Sequence, residues 1–303
     1  TKNPEEKPYF LTNQSAGSFN TFKHSFEAGT GKFLNNLLSV SARYSIINSD
    51  GYIDRAFSKL NSYNINALFE KGNTKLRFLT FGGKEKTYQA WNGIDKATYE
   101  SNPKFNYSGA IYDANWENII GFYDNETDNY RQNHYHLLWE QKLGKIWNIE
   151  TTFHLTHGEG YYENYKQDAK FSKYDLPNIV ENGNTITRTD FIRKKWLDND
   201  FYGVVSSLYG NFENLNLNFG VAANQYFGRH FGNVSGVKYT NIFEHEYYRN
   251  NALKNEVSGF VKAIYKMEKL EFFGDLQLRN IDYKTYILDE NAEEGADLSQ
   301  KWT

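Results

Sequence analysis

The feature that most constrains this chain is an alternation with a period of two. Between Tyr130 and Lys142, Tyr135, Leu137 and Trp139 fall on one side, and Gln132, His134, His136 and Glu140 on the other. Between Ile146 and His157, Trp147, Ile149, Phe153 and Leu155 oppose Asn148, Glu150, Thr152 and His154. Leu215, Leu217, Phe219 and Val221 oppose Asn216, Asn218 and Asn224, and Leu270, Phe272, Leu276 and Leu278 oppose Glu271, Asp275, Gln277 and Arg279. Successive strand side chains point to opposite faces, so the pattern predicts strands with one apolar and one polar face. No comparable helical period runs through any long window.

The spacing places strands at 8–16, 19–28, 37–47, 57–70, 75–86, 130–142, 146–157, 200–212, 215–227, 251–266 and 270–286. Short turns at 29–36, 71–74, 143–145, 213–214 and 267–269 alternate with longer loops at 48–56, 87–129, 158–199, 228–250 and from Leu288 onward. An antiparallel up-and-down meander with short connections at one end and long ones at the other follows. Pro4, Pro8, Pro103 and Pro177 all fall in loops or at the start of a strand, where no ladder N–H is lost. No low-complexity linker divides the chain, which predicts one domain over 1–303.

Many of these strands exceed the usual five or six residues and reach the roughly 9–11 that cross a bilayer when tilted. An apolar face against lipid and a polar face lining a lumen is the pattern of a transmembrane β-barrel, which must close because lipid offers no partner for a bare edge. Trp139 and Trp147 lie on the apolar face near the turn at 143–145, as an interfacial aromatic girdle or as a sandwich core. No apolar run approaches the length of a membrane helix. With 34 basic and 37 acidic residues the chain has no electrostatic footprint for nucleic acid, and with no Cys it has neither disulfide nor thiolate metal site. No signal peptide is visible, and the chain reads as a piece of something longer.

Several segments resemble the TonB-dependent outer-membrane receptors, especially those of Bacteroidota type. Gly17-Ser18-Phe19-Asn20-Thr21 followed by Lys23-His24 looks like the first barrel hairpin, and Ser49-Asp50-Gly51-Tyr52-Ile53-Asp54-Arg55-Ala56 resembles the second extracellular loop. The runs from Gly82 to Trp91, Arg193 to Asp200 and Asp275 to Arg279 are further matches. The resemblance implies about half of a 22-stranded barrel in the bacterial outer membrane, its plug and TonB box lying before Thr1 and Trp302-Thr303 in a loop. It also implies active uptake of a scarce nutrient, a ferric siderophore or other iron chelate, with the receptor's own plug, outer-membrane lipid and TonB of the TonB–ExbB–ExbD complex as partners.

In such a receptor the long loops grip the cargo. The candidates here are Tyr88, Trp91, Tyr112, Trp116, Tyr123, Tyr161, Tyr162 and Trp196 for stacking, and Arg131 and Arg193 for charge; Tyr99, Tyr107, Tyr165 and Arg188 share those loops. The same aromatics could equally pack the loops against one another. A turn centred on Gly144 sets His134 opposite His154 with His136 two residues along, either a metal cluster or plain lumen residues. Asp124, Glu126 and Asp128, Asp50 and Asp54, and Asp198 and Asp200 are oxygen donors for a loop Ca²⁺, or solvated acids; no resident cofactor is otherwise implied. No nucleophile elbow, His-Glu-x-x-His or phosphate loop occurs, so no enzyme is expected. The loop composition also fits cobalamin, haem or an oligosaccharide. A passive porin-type or adhesion barrel and a soluble β-sandwich are the readings from other classes.

Overall fold

The computed structural model describes residues 3–287 and 298–302. In chain order the elements are β1 (Pro8–Gly17), β2 (Thr21–Phe33), β3 (Leu38–Ser49), β4 (Ser58–Lys71), β5 (Thr74–Tyr88), α1 (Lys96–Ser101), β6 (Ala110–Tyr112), β7 (Ile119–Phe122), β8 (Thr127–Leu143), β9 (Trp147–Lys170), β10 (Ile179–Glu181), β11 (Asn184–Ile186), β12 (Arg188–Asn211), β13 (Leu215–Gly236), β14 (His245–Met267), β15 (Leu270–Ile287) and β16 (Leu298–Trp302). Twelve of them form one antiparallel sheet in the order β1-β2-β3-β4-β5-β8-β9-β12-β13-β14-β15-β16, while β6–β7 and β10–β11 are small hairpins within loops. Each neighbour in the large sheet follows its predecessor along the chain, so the predicted meander is what forms. Among the described residues no helix is long and apolar enough to cross a membrane.

The sheet has a single layer, and among the described residues no second sheet lies on its apolar face. Leu137 is 44 % exposed, Phe153 51 %, Val221 61 % and Leu278 77 %. The rows Trp147-Ile149-Phe153 and Leu217-Phe219-Val221 share this face in register, because Phe219 and Ile149 both pair with Leu208. A sandwich would have sealed these side chains together, so the soluble β-sandwich is excluded. A row of cross-strand partners, Phe78–Leu137–Phe153–Val204, runs along the middle of the face. Above it lies Tyr135–Leu155–Tyr202, and below it Trp147 closes against Phe212, ring centroids 5.5 Å apart, beside the short turns. From Tyr135 to Leu143 the strand rises roughly 20 Å once tilt is allowed for, close to the apolar height of a membrane barrel. Trp147 therefore sits at the level of a girdle.

Four expectations change. The sheet has twelve strands rather than about eleven, because the backbone of residues 298–302 pairs with β15 and takes Trp302 out of the loop expected for it; the expected loop at 288–297 lies outside the described residues. Much of the predicted loops is strand, since β9 and β12 each run 24 residues and pair nearly throughout. The turn 18–20 is short yet lies at the long-loop end, where the loop at 50–57 covers it through Asp50 N–H donating to Phe19 O and the Phe19–Tyr52 ring contact. Finally, Leu143 pairs with Trp147, which shifts the β8–β9 register by two and sets His136, not His134, opposite His154.

Candidate functional site

Above the Tyr135–Leu155–Tyr202 row the strands continue with water on both sides, and the polar face becomes a wall of a different kind. One continuous row reads Asp128–Tyr162–Lys195–Gly232–Tyr248, and the row beneath it Glu85–Tyr130–Gly160–Leu197–His230. Glycine at two of these positions leaves room for a neighbouring ring. A Cβ on Gly160 would stand 2.2 Å from Asn129 O and 2.7 Å from the Tyr130 ring, and one on Gly232 would stand 2.2 Å from the Tyr248 ring. The Tyr130 and Tyr248 rings thus lie across bare backbone and, with Tyr162, line a cavity of about 470 Å³, lined also by Glu85, Asp128, Lys195 and His230. Burial pushes the Asp128 carboxyl up; burial and then the nearby Asp128 charge do the same to Glu85. Lys195 is the basic residue of this lining.

The long loop between β5 and β8 is fastened to the top of β9 by buried amides and one acid. The Gln89 side chain donates to Thr127 O and Glu163 O at 3.1 and 3.0 Å. Asn164 Nδ2 donates to Gln89 Oε1 and to Glu126 Oε1, and Tyr165 N–H donates to Glu126 Oε2 at 2.8 Å. The Gln167 side chain pairs with both backbone groups of Tyr112 at 2.7 and 2.8 Å. Side chains therefore take up part of the ladder where β8 ends and β9 continues. Burial raises the Glu126 pKa, against the two N–H groups that it accepts. Arg55 locks the neighbouring loop underneath, its guanidinium 3.5 Å from the Phe122 ring centre.

The ten sequence candidates separate by face. Tyr162 and Arg193 belong to the polar face, and Trp91, 59 % exposed, meets Tyr162 edge-on at 5.7 Å. Arg193 donates to Asn164 Oδ1 at 2.8 Å. Tyr112 and Trp116 stack on each other at 5.7 Å beside the upper part of β9. Tyr88 is buried, its hydroxyl donating to Ser108 O and Tyr123 O, and Tyr123 stacks on Tyr165; both build the loop wall. Arg131, Tyr161 and Trp196 stand on the opposite face: Arg131 pairs with Glu159 at 2.7 Å, and Trp196 is layered between Tyr161 and Phe231. Arg131, Tyr161, Tyr162, Arg193 and Trp196 lie on strands rather than in loops, because pairing continues above the membrane level. Sequence reasoning missed Tyr130, Lys195, His230 and Tyr248; carrying the two-residue alternation of β9 and β12 further up would have joined Tyr162 to Lys195.

The metal candidates separate likewise. His136 and His154 face each other with ring centroids 6.4 Å apart, but His154 Nε2 is paired with Asn224 Oδ1 and His134 Nδ1 with Thr156 Oγ1. His157 is on the other face, 2.8 Å from Asp200, and Arg229 bridges Asp198 and Asp200 at 2.7 and 3.0 Å. Among the described residues, His157, Asp198 and Asp200 alone bring three donor atoms within 4.8 Å of one another, and a guanidinium is bound to both of the acids.

No protein-family model matches the chain, and no curated protein matches it by sequence. Solved structures do match in fold. The unliganded ferric citrate transporter FecA superposes with a TM-score of 0.72 at 8% identity, over 100% of this chain and 42% of its own. The siderophore receptor PiuA from Acinetobacter baumannii gives 0.66 at 11% identity, over 99% and 46%, and the copper transporter OprC 0.66 at 12%, over 99% and 42%. The chain spans less than half the length of each of these three. Its lipid-height apolar band, meander order and raised long-loop end give it the fold of a bacterial outer-membrane receptor barrel of the TonB-dependent kind.

Proposed function

We propose that this chain is the N-terminal part of the barrel of a TonB-dependent outer-membrane receptor that captures and imports an iron complex, a ferric siderophore or other iron chelate. The observation that carries the reading is the tyrosine–lysine wall on the polar face, directly above the hydrocarbon band. Flat tyrosine faces offer stacking area to a planar chelate, and Lys195 and Arg193 add attraction for its negative charge. Captured cargo then lies over the polar lumen, whose side chains would meet a plug rather than lipid. The segment Asn3–Lys7 supports this arrangement: Asn3 accepts from Arg77 on the polar face, and Glu6 pairs with Lys32 at 3.3 Å, so the chain reaches β1 along that face. The barrel binds and conducts, and does no chemistry on the cargo.

The test expresses the full-length receptor in a host stripped of its own iron-complex receptors and follows radioactive iron supplied as defined chelates. Uptake of at least one chelate should require TonB and fall at least about tenfold in Tyr162→Ala/Lys195→Gln, with the receptor still in the outer membrane. Accumulation that is the same without TonB makes this a passive barrel and overturns the proposal.

A further inference from the structure

The upper edge of β9 carries a second cavity, four or more residues above the tyrosine wall and separated from it by the Gln89–Asn164–Glu126 fastening. Its volume is about 490 Å³, within the range of small-molecule sites. One side is the Tyr112–Trp116 stack, its ring planes 26° apart. Trp116 is 53 % exposed and holds a positive φ of 61°, a conformation that a bulky residue adopts only under constraint. Asp113 supplies the constraint: its backbone O accepts from Trp116 N–H, one carboxylate oxygen from Glu117 N–H at 3.0 Å and the other from Asn118 at 2.7 Å. The backbone that carries the indole is therefore held at the cavity.

Three lysines, Lys166, Lys170 and Lys173, line the same cavity. Among the described residues none of their ammonium groups has an ion-pair partner. Asp168 in the same lining is already taken by Arg188, at 2.8 Å, so that pair cancels and leaves an excess of positive charge. Burial and then the Arg193 charge push the Lys166 ammonium down, against the nearby Glu126 carboxylate, and the Lys173 charge adds to the push.

We propose that this cavity is a binding site for a compact planar polyanion: a ring seated on the Tyr112–Trp116 stack, with two or more acidic oxygen groups reaching Lys166, Lys170 and Lys173. Rings supply stacking area, and ammonium groups in the lining favour an anionic ligand. The site stands apart from the tyrosine wall and does not depend on which cargo that wall captures.

The test uses the full-length receptor in detergent and trimesate, a benzene ring bearing three carboxylates, followed by calorimetry and tryptophan fluorescence. We expect saturable binding, with a fluorescence change that Trp116→Phe removes. Lys166→Gln/Lys173→Gln should weaken binding at least about tenfold, Lys166→Arg/Lys173→Arg should retain it, and added salt should weaken it. Tricarballylate, which has the three carboxylates and no ring, should bind more weakly. Should the Gln pair fail to fold, exposed Lys170→Glu provides the same readout. The proposal is overturned if trimesate does not bind, if its affinity is indifferent to the lysines, or if neutral benzamide competes equally.

Discussion

Two stretches of the same strands, on the same face, are built differently. Below the Tyr135–Leu155–Tyr202 row, the face carrying Leu137, Phe153 and Val221 is mostly hydrocarbon and ring, and the hydroxyls of Thr151 and Ser206 on it are paired with each other. Above it, that face carries Arg131 with Glu159, His157 with Asp200, and Arg229 across Asp198 and Asp200. The backbone ladder does not change at the boundary; only the solvent does. Alternation therefore says which face a side chain is on, and the residue types along that face say at what height it sits.

The sharpest way to break this contrast is to move charge across the boundary. Leu137→Arg sets a guanidinium at the middle of the apolar band and should cost about 2–4 kcal/mol. Tyr161→Arg, on the same face but above the band, should cost about 0–1 kcal/mol. Unfolding of the full-length receptor by denaturant in lipid vesicles measures both. Equal costs would mean that the band is not in lipid.

A smaller effect tests the wall on the other face. Gly160→Val drives a side chain into Asn129 O and the Tyr130 ring, and should destabilise by about 1–3 kcal/mol while tilting Tyr130 off the wall. At Gly232 the nearest atoms to an added Cβ belong to the rings of Tyr247 and Tyr248, so Gly232→Ala should shift those rings and weaken cargo binding with little loss of stability. Gly121→Ala, with nothing within 4 Å of the new Cβ, is the control. Cargo affinity that is the same in Gly232→Ala and Gly121→Ala would remove Tyr248 from the site.

The same contrast explains what could be read from the sequence. Faces were legible wherever one side met lipid, as for Trp147, Ile149 and Phe153. Between 158 and 170, and again between 188 and 199, both faces meet water or loops. The apolar–polar rhythm fades there while the hydrogen-bonded ladder continues. Tyr161 and Tyr162 consequently read as loop neighbours, although they point to opposite faces. The histidine register failed for another reason: Gly144 marks that a turn exists but not how many residues it spans, and a shift of two preserves every face while changing every partner. The Gln89–Asn164–Glu126 fastening joins residues up to 75 apart and leaves no periodic trace.

The next prediction returns to the outer face above the band. Arg229→Gln removes a bidentate contact with Asp198 and a third bond to Asp200, leaving two half-buried acids facing each other. A loss of about 1 kcal/mol is expected after allowing for partial exposure. The double change Arg229→Gln/Asp198→Asn should recover part of it, because the like-charge contact is gone. No recovery in vesicle unfolding would mean that the guanidinium acts through packing on the neighbouring Phe227 ring instead.

The smallest effect concerns the loop fastening, and its sign is set by Glu126. Burial raises this carboxyl above its ordinary range, so its protonated form is favoured more in the folded loop than in the unfolded chain. Its contribution to loop stability is then complete below the unfolded carboxyl pKa of about 4.3 and is lost as pH rises through the higher folded value. Amides around Tyr165 should therefore open more readily at neutral pH than at mildly acidic pH, after correction for intrinsic exchange. Glu126→Gln, which stays neutral throughout, should flatten that dependence. The Asn164 and Tyr165 N–H groups oppose the shift, since both donate to the carboxylate. Hydrogen exchange that slows rather than quickens toward neutral pH would show that these two bonds outweigh burial, and that the loop is held by an ionised acid.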